Sequence, residues 1–199
     1  MEPVFAALLG FALGSIPFGL ILTRAAGLGD VRQIGSGSIG ATNVLRTGNK
    51  GLAAATVLLD AGKAVVPVVV AKALWPGSAE TLGGIAAVAA VAGHCFTPWL
   101  AFKGGKGFAS AAGALGALAW PAMLACAAIW GATVFLSRIS SVASLVSVIA
   151  APFVAGALGY PQVIPPLIAI AAIVIVQHRA NIGRLMRGEE PKIGSSNKP

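Results

Sequence analysis

The sequence predicts an all-α polytopic membrane protein with about seven transmembrane helices, N-terminus outside and C-terminus cytoplasmic. Composition is the first reason. Of 199 residues, 57% are hydrophobic and only 10% charged, whereas a soluble domain carries roughly 25% charged residues. The second reason is that apolar runs of crossing length recur from residue 3 to residue 177. Lipid accepts helices rather than open sheets, and the segments of alternating polarity that a barrel needs are missing. The third is charge placement. Nearly all basic residues fall in alternate intervals between the runs, as the positive-inside rule requires.

Residues 3–23 form the first span. Glu2 precedes it and Arg24 follows it, the reverse of a secretory signal, so it is read as a retained helix. Pro17 predicts a kink, and Gly14, Ser15 and Gly19 suit close packing. Residues 24–50 are polar. Within them Gly35-Ser36-Gly37-Ser38-Ile39-Gly40-Ala41-Thr42-Asn43 is either a linker or, the preferred reading, an ordered ligand loop. A short interfacial helix starting near Thr42 would carry Arg46 one turn on. Residues 51–75 are the second span. Asp60 and Lys63 share a helix face inside it, either as an internal ion pair that fixes packing or facing a polar cavity.

A Pro76-Gly77-Ser78 turn leads to the third span, 81–101. Its end runs into Lys103-Gly104-Gly105-Lys106-Gly107, where two ammonium groups and free amides make an anion site. The competing reading is a basic surface loop. It is no Walker A loop, because Phe108 follows Gly107 where Ser or Thr is needed. His94 is a ligand, a base or a packed histidine, packing being commonest. Residues 107–119 are short for a crossing, which takes roughly 20 residues, and predict a tilted or partly unwound helix. After Trp120-Pro121 come spans 122–137, 142–159 and 162–177. From His178 the chain reads as an amphipathic extension whose Arg179, Arg184 and Arg187 reach headgroups. Residues 191–199 are expected to fray, and 1–199 to form a single membrane domain.

Charge selects the topology. With seven spans, Lys72 is essentially the only basic residue outside. Merging 107–137 into one element gives six spans and puts the basic tail outside. Three polar segments far apart in sequence then share the cytoplasmic face. They offer cations (Arg46, Lys103, Lys106), neutral donors (Ser36, Ser38, Thr42, Asn43, Asn181) and imidazoles (His94, His178), with no carboxylate cluster or metal-ligand set. That inventory suits a phosphorylated small molecule. The +8 net charge sits between apolar runs, so anionic headgroups or substrates explain it better than nucleic acid. Cys95 and Cys126 read as free thiols.

At these three segments the sequence resembles the bacterial acyl-phosphate:glycerol-3-phosphate acyltransferases, the PlsY family. The resemblance rests on residues 35–43, on Gly93-His94 through Gly107, and on His178-Arg179-Ala180-Asn181-Ile182-Gly183-Arg184-Leu185 with Gly188 and Glu189. Leu59-Asp60, Lys63, Ser141 and Ser144 also match. The chain departs at Ser38, where the family usually has Asn, and at Val142, where it usually has Leu.

The resemblance implies transfer of a fatty acyl group from acyl phosphate to glycerol 3-phosphate without a cofactor. It also implies a bacterial inner-membrane enzyme whose active site faces the cytoplasm and meets membrane lipid. Arg46, Lys103 and Lys106 would hold phosphates. Ser36, Thr42, Asn43 and Asn181 would orient the acceptor and donate to the developing oxyanion. Gly37, Ser38, His94, Gly104, Gly105, Gly107 and Ser141 would complete the binding surface. His178, or else a substrate phosphate oxygen, would take the hydroxyl proton. A transporter would want polar groups near the midplane, and an acyl-CoA-dependent enzyme a His with Asp four residues on. Pro98 and Ile182 occupy those positions here.

Overall fold

The computed structural model describes residues 1–193 as a bundle of apolar helices. The first expected span is two helices, α1 (Glu2–Gly14) and α2 (Phe18–Ala25). Pro17 has no N–H and disfavours helical geometry at the residue before it, so the chain breaks at 15–17. The break strands carbonyls, and distant side chains satisfy them. Lys63 Nζ donates to Ile16 O at 2.7 Å, and Thr97 Oγ1 donates to Ser15 O at 2.6 Å.

The polar interval contains a one-turn helix α3 (Ala41–Val44) and a 3-10 turn, Leu45–Thr47, that carries Arg46. Helix α4 (Lys50–Leu74) begins at an Asn49 side-chain cap on Leu52 N, at 3.0 Å. Helix α5 (Ala79–Cys95) lies at the centre, packed on α1 through small residues. A Cβ at Gly14 would sit 2.1 Å from Ala90 O, so only glycine lets these two helices approach so closely.

Element α6 (Phe108–Ser137) is two helical arms meeting at a kink. Ala119 is extended (φ −154°, ψ 80°), and Pro121 follows in the first turn of the second arm, where a missing N–H is tolerated. The rings of Phe108 and Trp130 lie 6.1 Å apart. On a straight helix, 22 residues would separate them by about 33 Å. Residues 108–118 and 120–137 therefore form a hairpin. Helices α7 (Ser140–Ala157), α8 (Ile164–Gln177) and α9 (Arg179–Met186) complete the described chain, with α8 and α9 bent by 60° at His178.

By length and composition, five stretches among the described residues can cross a membrane, and the bent α8–α9 pair makes a sixth. This differs from the seven runs expected because 108–137 passes as one stretch. Its turn is a single extended residue rather than a polar loop. At the tail, Ile193 N donates to Arg138 O at 2.7 Å, so the chain is tied down as far as Ile193. The rest of the expected frayed segment, 194–199, lies outside the described residues.

Candidate active site

The serine–glycine loop is built around Asn43, which is 2% exposed. Asn43 Nδ2 lies 2.7, 3.1 and 2.8 Å from the carbonyls of Val31, Ile34 and Ser38. Its Oδ1 accepts from Ser36 N at 3.2 Å and from an Arg46 guanidinium N–H at 3.0 Å. Expected as a substrate contact, Asn43 instead spends its polar capacity on folding the loop. Gly35 and Gly37 take positive φ (53° and 67°), and a Cβ at Gly35 would strike the Arg46 side chain at 2.3 Å. The interval is thus an ordered loop rather than a linker.

The lysine–glycine loop folds back onto the end of α5. Gly104 N donates to Cys95 O at 3.1 Å and Gly105 N to His94 O at 3.0 Å, satisfying helix-terminal carbonyls. Those two amides are therefore not free, which corrects the expectation that they serve an anion. The loop's cation remains. Lys106 is half-buried, and its pKa is lowered to about 8. Burial is the main cause. Glu190 opposes the shift, while Arg184 and Arg46 add to it.

The tail closes the site. Glu190 Oε1 accepts from Ser141 Oγ at 2.7 Å and from Asn181 Nδ2 at 2.5 Å, and Oε2 accepts from Arg184 Nε at 2.7 Å. Burial raises the Glu190 pKa, but these bonds outweigh it and the net shift is downward. Asn181 Oδ1 is buried with no hydrogen-bond partner among the described residues, leaving an acceptor for a ligand hydroxyl. His178 is 2% exposed, with Nδ1 2.8 Å from Val174 O. Only an N–H can face that carbonyl, so in the neutral imidazole Nε2 carries the lone pair.

Between the three segments lies a polar cavity of about 180 Å³. Ser36, Gly37 and Ser38 line one wall and Gly104, Gly105 and Lys106 a second. Gln177, Arg179, Ala180, Asn181 and Arg184 line the third. Its volume lies well below the roughly 300 Å³ at which drug-sized pockets begin, and fits a small metabolite. The expected residues thus divide. Ser36, Gly37, Ser38, Gly104, Gly105, Lys106 and Asn181 meet at the cavity, and Arg46 lies close enough to act electrostatically on Lys106. Lys103 and Thr42 are exposed outside the cavity lining. His94 and Gly107 are buried beneath the loop, and Ser141 connects through Glu190.

Sequence reasoning missed Gln177, Arg179, Ala180, Arg184 and Glu190. Arg179 and Arg184, expected at headgroups, line the cavity wall instead. The signal for Glu190 was an acid immediately after a basic amphipathic turn. A separate apolar groove of about 620 Å³ runs between α7 and α8, from Ala157 and Ile164 to Ile175, three residues before His178.

Residues 4–188 match the family model described as glycerol-3-phosphate acyltransferase. The glycerol-3-phosphate acyltransferase of Erythrobacter litoralis is 56% identical over 199 residues, spanning 100% of this chain and 98% of that protein. That of Mesorhizobium japonicum is 53% identical over 192 residues, spanning 96% of each. Two crystal structures of PlsY, an integral membrane glycerol 3-phosphate acyltransferase, share the fold. The glycerol 3-phosphate form superposes with TM-score 0.90 at 33% identity, covering 98% of this chain and 96% of that one. The lysophosphatidic acid form gives 0.89 at 32%, with the same coverage.

Proposed function

The chain belongs to the glycerol-3-phosphate acyltransferase family, and from that premise we propose how its residues acylate glycerol 3-phosphate to lysophosphatidic acid. The observation that carries the proposal is the meeting of three remote polar segments around Lys106 in one small cavity. Lys106, Arg46 and Arg184 supply an excess of positive charge that one carboxylate, Glu190, offsets only in part. Such a site favours a phosphate dianion. The Asn181 Oδ1 acceptor orients the attacking hydroxyl, and Ser36 and Ser38 donate from the facing wall. His178 Nε2 takes the hydroxyl proton, with a substrate phosphate oxygen as the alternative acceptor.

The donor is acyl phosphate. A mixed anhydride carries its own leaving group, so the chain has to align two anions and stabilise the developing oxyanion, and no acyl-enzyme is needed. Lys106 and Arg46 serve that charge as well. The acyl chain lies in the apolar α7–α8 groove, whose Ile175 end approaches the His178 bend.

The chain crosses the bacterial inner membrane seven times, the α6 hairpin counting as two crossings. The N-terminus is outside, and the cavity and tail face the cytoplasm. Basic residues support this orientation. Arg46, Lys106, Arg179 and Arg184 gather at the cavity end, whereas Lys72 at the other end is paired with Glu80 at 2.9 Å.

Purified protein with acyl phosphate and glycerol 3-phosphate tests the reaction. Phosphate release that requires both substrates is expected. Release with acyl-CoA in place of acyl phosphate would overturn the donor assignment, and release independent of glycerol 3-phosphate would overturn the acceptor site.

A further inference from the structure

A second polar cluster lies inside the bundle, directly beneath the lysine–glycine loop. Asp60 stands ten residues into α4, about 15 Å from the helix start. Its Oδ1 is 2.8 Å from Lys63 Nζ and 3.6 Å from His94 Nδ1, the second an electrostatic approach rather than a hydrogen bond, since His94 Nδ1 has no hydrogen-bond partner among the described residues; all three residues are at most 5% exposed. Lys63 also donates to Ile16 O in the α1–α2 break, and Ser110 Oγ, at the start of α6, donates to Asp60 O at 2.8 Å. The cluster therefore ties α4, α5 and α6 to the α1–α2 break. None of its side chains lines the cavity.

Its upper edge touches the loop. The His94 carbonyl accepts from Gly105 N at 3.0 Å, and the imidazole lies flush against Gly105. A Cβ added at Gly105 would sit 2.0 Å from His94 Nε2, with the next nearest atoms in the same ring. Gly105 lines the cavity and directly precedes Lys106. We propose that Asp60, Lys63 and His94 are positioning residues: the ion pair holds the His94 ring, and the ring sets the height of Gly105 and hence the reach of Lys106 into the cavity.

This costs more than an apolar contact of the same shape. Two buried charges are expensive to desolvate, and replacing such a pair with apolar residues is often neutral for stability. An ion pair contributes a fixed direction, which a ring facing a catalytic loop requires. The inference rests on the reading that the loop binds the acceptor phosphate.

The test is the KM for glycerol 3-phosphate, measured with acyl phosphate as donor on purified, monodisperse full-length variants. His94→Ala and the neutral pair Asp60→Asn/Lys63→Met are each expected to raise KM by about tenfold or more. Loosening a charge-assisted hydrogen bond to the phosphate weakens ground-state binding by about that factor, and kcat should change less than KM. Gly105→Ala is expected to raise KM as well. Adding His94→Ala to Gly105→Ala should recover part of that loss, because the clashing ring is gone.

A purely structural role would lower yield or melting temperature while leaving KM of the folded fraction alone. An unchanged KM in folded His94→Ala overturns the proposal, and so does a Gly105→Ala/His94→Ala double variant worse than both singles. Failure of both His94→Ala and the neutral pair to fold overturns it too, since the cluster would then support the bundle rather than the loop. Lys106→Ala, assayed alongside, separates the two readings. If it leaves KM unchanged, the phosphate assignment fails. If it raises KM while His94→Ala does not, only the positioning role fails.

Discussion

Two polar clusters stand out among the described residues, one half-open at the cavity and one buried in the bundle, and they differ in whether their charges cancel. At the cavity, Lys106, Arg46 and Arg184 face one carboxylate, Glu190. Inside the bundle, Asp60 and Lys63 neutralise each other at 2.8 Å beside His94. A self-paired cluster has no charge left for a ligand. A cluster with surplus cations keeps a positive potential that folding alone does not justify. The contrast assigns chemistry to the first and geometry to the second, and each assignment can be broken by substitution.

The largest effect belongs to the surplus cations. Lys106→Ala should lower kcat/KM on the order of 10²–10³-fold, the loss seen when one donor to a developing charge is removed. Arg46→Ala should follow the same direction. Melting curves of both variants should stay near that of the parent, because Arg46→Ala loses only a hydrogen bond to Asn43 in the polar loop and the Lys106 ammonium lies outside the apolar core. Normal turnover in either folded variant would remove that residue from the site.

The self-paired cluster should respond in the opposite way. Asp60→Asn leaves Lys63 buried without its anion, a loss of about 3–5 kcal/mol when one partner of such a pair is removed. Detergent melting or urea titration should register it. The neutral pair Asp60→Asn/Lys63→Met should recover most of that stability. If the single variant melts like the parent, the pair is not the stabilising contact that its burial implies.

The acid–base behaviour sharpens the same contrast. Lys106 binds phosphate as the ammonium, and its pKa is lowered to about 8. Its attraction is therefore present below pH 8 and lost as pH rises through that value. kcat/KM for glycerol 3-phosphate should fall above about pH 8, approaching tenfold per unit. Lys106→Arg, which stays charged, should move that limb upward. A profile flat to pH 9.5 in the parent would show that another group carries the charge.

Much of this was legible in sequence because it depends on local patterns. Apolar runs gave the helices, Pro17 gave the α1–α2 break, and the spacing of Asp60 and Lys63 gave their pairing. The lysine–glycine and serine–glycine segments declared a site before any geometry was known. What failed to show depends on rotation and depth. His94 and Asp60 lie on different helices, so their meeting follows from how α4 and α5 turn toward each other. The amides of Gly104 and Gly105 looked free because nothing in sequence says that the loop folds back onto α5. Asn43 looked like a ligand residue for the same reason, since its partners are backbone carbonyls 5 to 12 residues away. Arg184 read as a headgroup contact on an amphipathic extension and Glu190 drew no reading at all, and only the 60° bend at His178 turns α9 over the cavity.

The smallest expected effect is at Ser38, where the related motif usually carries asparagine. Ser38 lines the cavity, and its Oγ accepts from Gly40 N at 3.2 Å, a bond an asparagine oxygen can also make two residues on. The loop itself is held by Asn43, so Ser38→Asn should leave the melting temperature unchanged. The added amide gives the wall one more donor. A hydrogen bond is worth about 0.5–1.5 kcal/mol net, so KM for glycerol 3-phosphate should fall roughly two- to tenfold. An unchanged KM would mean that position 38 does not meet the acceptor, shifting recognition to Lys106 and Asn181 on the other two walls. A fall in KM would show that even the least charged wall of the cavity acts on the ligand, as nothing in the self-paired cluster beneath it does directly.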